Sequence, residues 1–288
     1  YKNILKDIKK IDATVLGLQE LIVGGIVKIN DWSNNGKGLE VNITNFFEQM
    51  QKLKYKKIII CNTVPSWFNS IYGNGLLVKN HICQDNICSK IDENIYTFKK
   101  SDKTCIVSGE TEGSAETRCF IKINVVYNKY TFYIYITHLD VASESERLKQ
   151  IKQIIQNASI HNKRNDVVFI LGDFNTFDKN EMNNREKNKD EVATNWKNNN
   201  FMKNNGKVVD FIKKSNYFDC HSKNSAKMTT WNNTRIDFIF CNKKINGDFR
   251  AEYYYTNSSD HIPVILTITP NTTFTKHIIK AASSKKKK

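Results

Sequence analysis

Short apolar runs that end in polar residues are the most informative pattern in this sequence. Residues 167–171 are apolar without interruption and are followed by Gly172, Asp173 and Asn175. A run of this length and content predicts a strand that is buried on both faces. Because ligands bind beyond the carboxyl ends of strands in α/β sheets, Asp173 and Asn175 are candidates for a functional site. Alone, the pattern is equally typical of a simple turn.

Other runs have the same design. Residues 14–19 predict a buried strand that ends at Glu20, and the aromatic and β-branched run 130–137 ends at His138. The alternating run 118–127 precedes it, and the short turn between the two runs predicts a hairpin. Further strands are predicted at residues 58–61, 76–78, 95–98, 228–231, 235–240 and 262–268, with a Gly-Asn-Gly turn at residues 73–75.

Helical periodicity occurs between the strands. It covers residues 4–11, 44–53 and 208–212, and Ser143 with Glu146 forms a capping box that opens another helix. The predicted inward positions are Ile4, Leu5, Ile8, Ile11, Phe46, Phe47, Met50, Leu53, Leu148, Ile151, Ile154 and Ile155.

The alternation of strands and helices predicts an α/β (α+β) protein with a single domain at residues 1–270. Residues 178–206 are rich in Asn, Lys and Glu and predict a polar surface insertion, for which a disordered loop is favoured over a substrate-gripping arm. Residues 271–288 are expected to be a basic tail, either a nucleic-acid patch or a solubilising end.

The net charge of the 288-residue chain is +15. Such a charge favours a polyanionic partner, which can be nucleic acid, an anionic membrane surface or a phosphorylated substrate. Lys and Asn are abundant throughout, so compositional bias accounts for part of the charge. The sequence contains no run of 18 apolar residues, so no transmembrane segment is predicted.

The 7 cysteines are odd in number and irregularly spaced, which favours reduced, buried thiols in an intracellular protein. A structural zinc site is disfavoured, because His81, Cys83 and Cys88 have no second ligand pair at a matching distance. Secretion stays open, because the sequence begins at Tyr1 within a helical pattern and its natural start is expected to lie upstream.

Several polar side chains occur at the ends of predicted strands, where they would converge on one edge of the sheets. Buried carboxylates repel each other unless a cation or a histidine compensates their charge. A carboxylate-rich set with few neutral ligands suits Mg²⁺ or Mn²⁺, and no spacing in this sequence is typical of zinc. The set comprises Glu20, His138, Asp173, Asn175, Asp237, Asp260 and His261.

Six motifs occur in a characteristic order. They are Leu18-Gln19-Glu20, Glu116-x-Arg118, Thr137-His138, Gly172-Asp173-Phe174-Asn175, Arg235-Ile236-Asp237 and Ser259-Asp260-His261-x-Pro263. Each motif is weak alone, but together the sequence over residues 1–269 resembles the endonuclease/exonuclease/phosphatase superfamily. That superfamily includes pancreatic-type deoxyribonucleases, abasic-site endonucleases, tyrosyl-DNA phosphodiesterases, neutral sphingomyelinases and inositol polyphosphate 5-phosphatases. The resemblance implies a deoxyribonuclease-I-like fold, a four-layer sandwich of two packed mixed β-sheets flanked by helices.

The resemblance also implies a metal site and a water-activating site. Glu20 would be the main ligand of Mg²⁺, with Mn²⁺ as a substitute, and Asp260 would be a second ligand. Asp173 would orient or deprotonate the attacking water, and Asn175 would bind the phosphate.

The remaining implied roles involve the two histidines. His261, paired with Asp237, would act as an acid–base dyad or donate to the phosphoryl oxygen. His138 would bind the substrate and stabilise the pentacoordinate phosphorus. Arg118 would support the site or contact the substrate.

The resemblance implies hydrolysis of phosphate esters and leaves three functions open. The first is a monomeric phosphodiesterase that acts on DNA or RNA, which the charge and His138 favour. The second is a lipid or inositol phosphate hydrolase that recognises anionic headgroups, although Thr176-Phe177 differs from the continuation expected of 5-phosphatases. The third is a catalytically silent nucleic-acid-binding member. It would be favoured if the family's first strand, which carries an Asn near the metal and is expected before residue 1, were absent.

Overall fold

A computed structural model describes most of the chain in thirteen segments. They are residues 2–23, 26–30, 38–42, 46–64, 71–79, 91–97, 118–127, 129–141, 143–161, 166–187, 206–221, 228–230 and 234–276. The helices in these segments are α1 (Lys2–Ile11), α2 (Phe46–Lys52), α3 (Glu144–Ser159), α4 (Lys179–Lys187) and α5 (Lys207–Lys214). The strands are β1 (Val15–Val23), β2 (Ile26–Asn30), β3 (Gly38–Asn42), β4 (Tyr55–Val64), β5 (Ile71–Lys79), β6 (Ile91–Thr97), β7 (Cys119–Tyr127), β8 (Tyr130–His138), β9 (Asp166–Asp173), β10 (Phe218–Asp219), β11 (Asp237–Cys241), β12 (Lys243–Asn246), β13 (Phe249–Tyr253), β14 (Val264–Ile268) and β15 (Thr273–Lys276).

Two sheets form the centre of the molecule. One has the strand order β1-β5-β4 and the other has the order β10-β11-β9-β8-β7-β6. In the larger sheet β8 and β9 are parallel, whereas β7 and β11 pair antiparallel with them, so this sheet is mixed. The predicted hairpin of β7 and β8 is confirmed.

The two sheets pack face to face through aliphatic side chains. Leu76 and Val78 of β5 meet Ile121 and Ile123 of β7 in one buried cluster. On the outer face of the smaller sheet, α1 and α2 contribute buried side chains to a second cluster. On the outer face of the larger sheet, α3 and α5 do the same. The four layers and the deoxyribonuclease-I-like architecture predicted from the sequence are confirmed.

Short strands near the carboxyl terminus cover one end of the larger sheet. This end is the one farthest from His138 and Asp173. β13 pairs with β14, and β15 pairs with β12. Phe274 of β15 is buried against Tyr130, Phe132 and Phe169, with ring centroids 5.1, 5.5 and 6.3 Å away. The prediction that a tail begins at residue 271 is therefore wrong, because residues 273–276 form β15 and Phe274 is buried in the core.

Further predictions are wrong in the smaller sheet and in the helices that pack on it. Residues 73–75 were predicted as a turn but lie inside β5, where a Cβ on Gly75 would meet the Leu21 side chain at 2.5 Å. The glycine therefore provides room for a neighbouring strand rather than a change of chain direction. On α2, Phe46 and Met50 are buried as predicted, but Phe47 is 40% exposed, and Ile4 of α1, also predicted to face inward, is 39% exposed.

The predicted surface insertion begins with a structured helix. α4 occupies the first part of residues 178–206, and its Met182 is buried against Phe177. This helix was not predicted from the sequence, because the segment is polar and the helix makes few apolar contacts. The rest of the insertion, residues 188–205, lies outside the described residues.

Cys119 is buried and takes part in a disulfide, which corrects the expectation of reduced thiols at that position, whereas Cys220 and Cys241 are free and buried. The disfavoured zinc ligands at residues 81–88 lie outside the described segments. Within those segments, no helix has both the length and the apolar character needed to cross a bilayer.

Replacing Phe274 tests whether the carboxyl-terminal strand belongs to the core. Phe274→Ala should lower the free energy of unfolding by roughly 3 kcal/mol, because it removes a buried ring packed on three others. Thr273→Ala, at an exposed position of the same strand, should change it by less than about 0.5 kcal/mol. Urea unfolding monitored by circular dichroism measures both values. Equal effects of the two changes would contradict the assignment.

Candidate active site

Three adjacent strands carry charged or polar side chains at the same edge of the larger sheet. His138 of β8 is in register with Asp173 of β9, and Asp173 is in register with Asp237 of β11. Residues directly opposite each other on neighbouring strands have side chains on the same face of the sheet. Sheet pairing therefore brings together three residues that are far apart in the sequence.

Gly172 permits this arrangement. Its φ is +137°, and a Cβ at this position would lie 1.9 Å from the carbonyl oxygen of Thr137. A larger residue would push β9 away from β8 just before Asp173. Glycine is therefore required here by both backbone conformation and space.

A tight turn follows Asp173 and positions Asn175. The Asn175 backbone amide donates a hydrogen bond to Asp173 Oδ1 at 2.7 Å, and its side-chain amide donates to the Leu139 carbonyl at 3.0 Å. Asn175 has a positive φ of 47°, which asparagine adopts more readily than most residues. The turn leaves Asp173 Oδ2 directed toward the two histidines.

His138 is held as a neutral imidazole. Arg118 Nη1 lies 2.8 Å from His138 Nδ1, and because arginine is always a donor, Nδ1 must be the acceptor. Nε2 then carries the proton, and it lies 3.5 Å from Asp173 Oδ2. Burial, together with the charges of Arg118 and His261, keeps the pKa of His138 well below 6.5.

His261 has the opposite electrostatic environment. Its Nδ1 lies 2.9 Å from Asp237 Oδ2, and its Nε2 lies 3.9 Å from Asp173 Oδ2. Burial alone would lower the pKa of His261, but the hydrogen bond to Asp237 and the charges of Asp237, Asp173 and Asp260 raise it to about 9. At neutral pH His261 is therefore an imidazolium whose Nε2–H faces the site.

Asp173 is the most perturbed carboxylate of the site. It is 5% exposed. Burial raises its pKa, and the nearby charge of Asp237 raises it further, to about 8, although His261 acts in the opposite direction. Perturbation by burial plus a specific charged neighbour is typical of a functional site.

Two candidate ligands were predicted around this centre. Glu20 is exposed, has a φ of +52°, and lies where the register of β1 with β5 shifts. The neighbouring Gln19 amide lies 3.3 Å from the position of a Cβ on Gly172, so β1 passes over the end of β9. Asp260 is exposed beside His261 and accepts a hydrogen bond from Ser259 at 3.3 Å. The assignment of both as metal ligands stays a prediction.

The residues present fit a divalent cation. Asp173, Asp237 and His261 each offer a ligand atom, and these atoms lie within 4.8 Å of one another. Because His261 Nδ1 is already engaged with Asp237, the carboxylate oxygens are the available ligands. Oxygen ligands suit Mg²⁺ or Mn²⁺.

A buried arginine that sequence reasoning missed supports the two loops of the site. Arg147 is fully buried and donates to the Asp140 carbonyl at 2.8 Å and to Glu144 at 3.0 Å. Glu144 in turn accepts bonds from the Thr176 hydroxyl at 3.4 Å and the Val208 amide at 3.3 Å. The loop after β8, the loop after β9 and α5 are thus joined. The three-residue spacing of Glu144 and Arg147 on a predicted helix indicates an ion pair. Such pairs usually lie on the surface, so the sequence did not indicate that this one is buried.

A second buried arginine, Arg235, holds the segment before Asp237. It donates to Glu181 at 2.6 Å and to Asp219 at 2.7 Å, and it lies 4.3 Å from the centre of the Phe238 ring. These contacts connect α4 and β10 to the strand that carries Asp237. The sequence motif included Arg235 without indicating this structural role.

The unusual pKa of Asp173 predicts a pH-dependent effect of Asp173→Asn. A carboxyl whose folded pKa is raised from 3.8 to about 8 contributes stability below the unfolded value, and that contribution is lost as pH rises through the folded value. The variant should therefore be more stable than the wild type at pH 8, by on the order of 1–3 kcal/mol, and closer to it at pH 5. Urea unfolding in EDTA measures the difference. A variant that is less stable than the wild type at pH 8 would contradict the electrostatic analysis.

The role of Asp237 is tested by the titration of His261. Asp237→Asn should lower the pKa of His261 from about 9 by at least about one unit, because both its hydrogen bond to a carboxylate and a neighbouring negative charge are lost. Asp210→Asn, at a half-buried position on α5, is the control and should leave it unchanged. Two-dimensional NMR of the imidazole resonances across pH 5–10 gives both values. An unchanged His261 pKa in Asp237→Asn would show that the pair does not form.

Comparison with known proteins agrees with this geometry. Residues 1–261 match the model of the Endonuclease/Exonuclease/phosphatase family. No curated protein matches the sequence. Among solved structures, the endonuclease/exonuclease/phosphatase family protein from Leptotrichia buccalis has a TM-score of 0.56 at 17% identity, covering 92% of this chain and 91% of that chain.

Two other structures have the same fold. The human nocturnin catalytic domain, solved with a bound sulfate anion, has a TM-score of 0.54 at 16% identity, covering 95% of this chain and 86% of that chain. ANGEL2, a 2′,3′-cyclic phosphatase, has a TM-score of 0.53 at 13% identity, covering 93% of this chain and 77% of that chain. The match over residues 1–261, on a fold with this row of strand-end residues, establishes that the chain belongs to the endonuclease/exonuclease/phosphatase family.

Proposed function

We propose that this protein is a divalent-metal-dependent phosphodiesterase that hydrolyses DNA or RNA by in-line attack of an activated water. The observation that carries the proposal is the convergence of one carboxylate oxygen and two imidazoles. Asp173 Oδ2 lies 3.5 Å from Nε2 of His138 and 3.9 Å from Nε2 of His261. Family membership supports hydrolysis as the reaction class.

Each group has a distinct task in this proposal. Asp173 orients the water and accepts its proton. His138, neutral and protonated on Nε2, donates a hydrogen bond to a phosphoryl oxygen as negative charge develops there. His261 carries a proton that it can donate to the phosphoryl oxygen or the leaving group, and Asp237 fixes its orientation. Asn175 binds the phosphate beside Asp173, and Arg118 acts through His138.

Glu20 and Asp260 are proposed to hold the metal, with Glu20 as the main ligand. A bound Mg²⁺ or Mn²⁺ would supply positive charge that neutralises the phosphate oxygens. The position of both residues at the border of the site supports this assignment. The charge of Asp260 acts on His261, and Gln19, next to Glu20, approaches Gly172.

Nucleic acid is proposed as the substrate on the basis of charge and fold relatives. The net charge of +15 supports binding to a phosphate backbone. ANGEL2 has been solved in complex with adenosine-2′,3′-vanadate, so a protein of this fold binds an adenosine derivative. An anionic lipid headgroup is the second candidate, because the same charge would serve it.

Hydrolysis of a substrate panel tests the proposal. The panel comprises plasmid DNA, abasic-site duplex, 5′-tyrosyl oligonucleotide, RNA, sphingomyelin and inositol phosphates, each with Mg²⁺ or EDTA. DNA or RNA should be cleaved in Mg²⁺, and His261→Ala should lower kcat by about 10²–10⁴-fold because the proton donor is lost. Glu20→Gln should raise the Mg²⁺ concentration needed for half-maximal activity. Asp210→Asn serves as the control and should behave like the wild type.

The other outcomes are also informative. Turnover confined to sphingomyelin or inositol phosphates would overturn the choice of substrate and identify a headgroup hydrolase. Nucleic acid binding without any turnover would overturn the enzyme assignment and identify a silent binding protein.

A further inference from the structure

A buried threonine lies between the two segments that carry Asp237 and His261. Thr229 is fully buried. Its hydroxyl oxygen accepts hydrogen bonds from two successive backbone amides, that of Ile236 at 3.0 Å and that of Asp237 at 3.2 Å. One side chain therefore holds the first residue of β11, which is the residue whose carboxylate contacts His261.

The backbone of the same threonine holds the other segment. The Thr229 carbonyl accepts a hydrogen bond from the Ile262 amide at 2.7 Å, and Thr230 forms an antiparallel bridge with His261. Residues 228–230 thus run alongside the segment of His261 like a short strand. Asp237 and His261 are 24 residues apart in the sequence, but both of their backbone segments are attached to Thr229.

All hydrogen-bonding positions of the Thr229 hydroxyl are occupied. A hydroxyl group has two acceptor lone pairs and one proton. The two amides occupy the lone pairs, and the proton is donated to the Thr234 carbonyl at 3.4 Å. Valine has the same shape but no acceptor, so it would deprive the amides of Ile236 and Asp237 of this partner. Because buried amides require an acceptor, we expect the start of β11 to shift in such a variant.

A shift at this point would affect the contact between the carboxylate and the imidazole. Asp237 Oδ2 lies 2.9 Å from Nδ1 of His261, and Nε2 of the same ring lies 3.9 Å from Asp173 Oδ2. Hydrogen bonds weaken steeply when their distance or angle departs from the optimum. The orientation of the His261 ring toward Asp173 therefore depends on where Thr229 holds Asp237.

We propose that Thr229 is a positioning residue of the reaction, which acts through Asp237 and His261 without touching the substrate. The inference rests on the proposed function and deepens it. The hydroxyl fixes the backbone of Asp237, and the carbonyl fixes the segment of His261, so one residue sets the distance between the two groups. A misplacement of about 1 Å in a catalytic site can lower the rate about 10²-fold. Loss of the hydroxyl alone should therefore slow the reaction.

Two substitutions at Thr229 separate the effect of the hydroxyl from that of side-chain shape. Thr229→Val keeps the shape and removes the acceptor, whereas Thr229→Ser keeps the acceptor. Hydrolysis in Mg²⁺ is followed with a DNA oligonucleotide and an RNA oligonucleotide, each labelled with fluorescein and a quencher. Thr229→Val should lower kcat by about 10–100-fold because the proton donor is misplaced, and KM should stay within about twofold because substrate contacts are kept. Thr229→Ser should retain kcat to within about threefold.

Thr272→Val is the matched control. Thr272 is also buried, and its hydroxyl also joins two backbone groups, the Asp248 carbonyl at 2.6 Å and the Thr269 amide at 3.2 Å. It directly precedes β15, far from the site. This variant should be destabilised to a similar extent in thermal unfolding but keep the kcat of the wild type. Equal losses of kcat in Thr229→Val and Thr272→Val would indicate a general effect of stability and overturn the proposal.

An NMR signal shows whether Thr229 acts on the contact between Asp237 and His261. In protein with isotope-labelled histidine, the Nδ1–H of His261 is protected from exchange by its hydrogen bond to Asp237, and its signal is assigned by its absence in His261→Ala. The signal should be present in the wild type, Thr229→Ser and Thr272→Val, and it should be lost in Thr229→Val. Its retention in Thr229→Val would overturn the proposal.

A double substitution tests the same connection in the reaction. When Asp237 is already replaced by Asn, Thr229→Val should change kcat by less than about twofold, because the effects of residues that act as a unit are not additive. A full additional loss in the Asp237→Asn background would show that Thr229 acts by another route, and the proposal would be wrong.

The NMR signal also separates this inference from the proposed function, because it requires no substrate. If the wild type cleaves neither oligonucleotide in Mg²⁺, the proposed function is refuted, and the His261 signal alone decides whether Thr229 positions the two groups. If the wild type cleaves an oligonucleotide and Thr229→Val cleaves it equally fast, the proposed function stands and the inference is refuted.

Discussion

The pairing of β8 with β9 at the ends of both strands fixes the geometry of the site. At Gly172 the backbone comes so close to the Thr137 carbonyl that a side chain would not fit. This approach places His138 beside Asp173, and the pairing of β11 places Asp237 on the other side. Because the three positions are set by sheet hydrogen bonds, their spacing does not depend on loop conformation. Sites built on strands are held more precisely than sites built on loops.

The sheet brings the side chains together, and their neighbours then give the two histidines different charges. Arg118 contacts Nδ1 of His138 and leaves it a neutral donor, whereas Asp237 contacts Nδ1 of His261 and favours its protonated form. Two groups of one chemical type with opposite environments are characteristic of acid–base division in enzymes. Asp173, buried between them, is destabilised in its charged form. The fold tolerates this cost because large apolar clusters surround both faces of the strands.

The sequence predicted the parts of the fold in which the pattern of apolar and polar residues agrees with their burial in the structure. β8 and β9 are long apolar runs, and the polar residues that end them were correctly placed at one edge of a sheet. Prediction failed where tertiary contacts override local signals. Residues 73–75 look like a turn, but packing against β1 makes them part of a strand. Phe274 lies in a short strand whose surroundings are polar, so no periodicity indicated its buried position.

The candidate site was predictable to a similar extent. The candidate site residues lie at the ends of apolar runs and are visible as motifs, but Arg147 and Arg235 act through buried contacts with carboxylates. Charged residues are expected at the surface, so their burial cannot be inferred without the fold. The same limit applies to the hairpin that precedes His261. Asp7 of α1 accepts hydrogen bonds from the hydroxyls of Thr256 and Tyr254, although these residues lie at opposite ends of the sequence. The surroundings of the candidate site therefore depend on tertiary connections that the motifs do not encode.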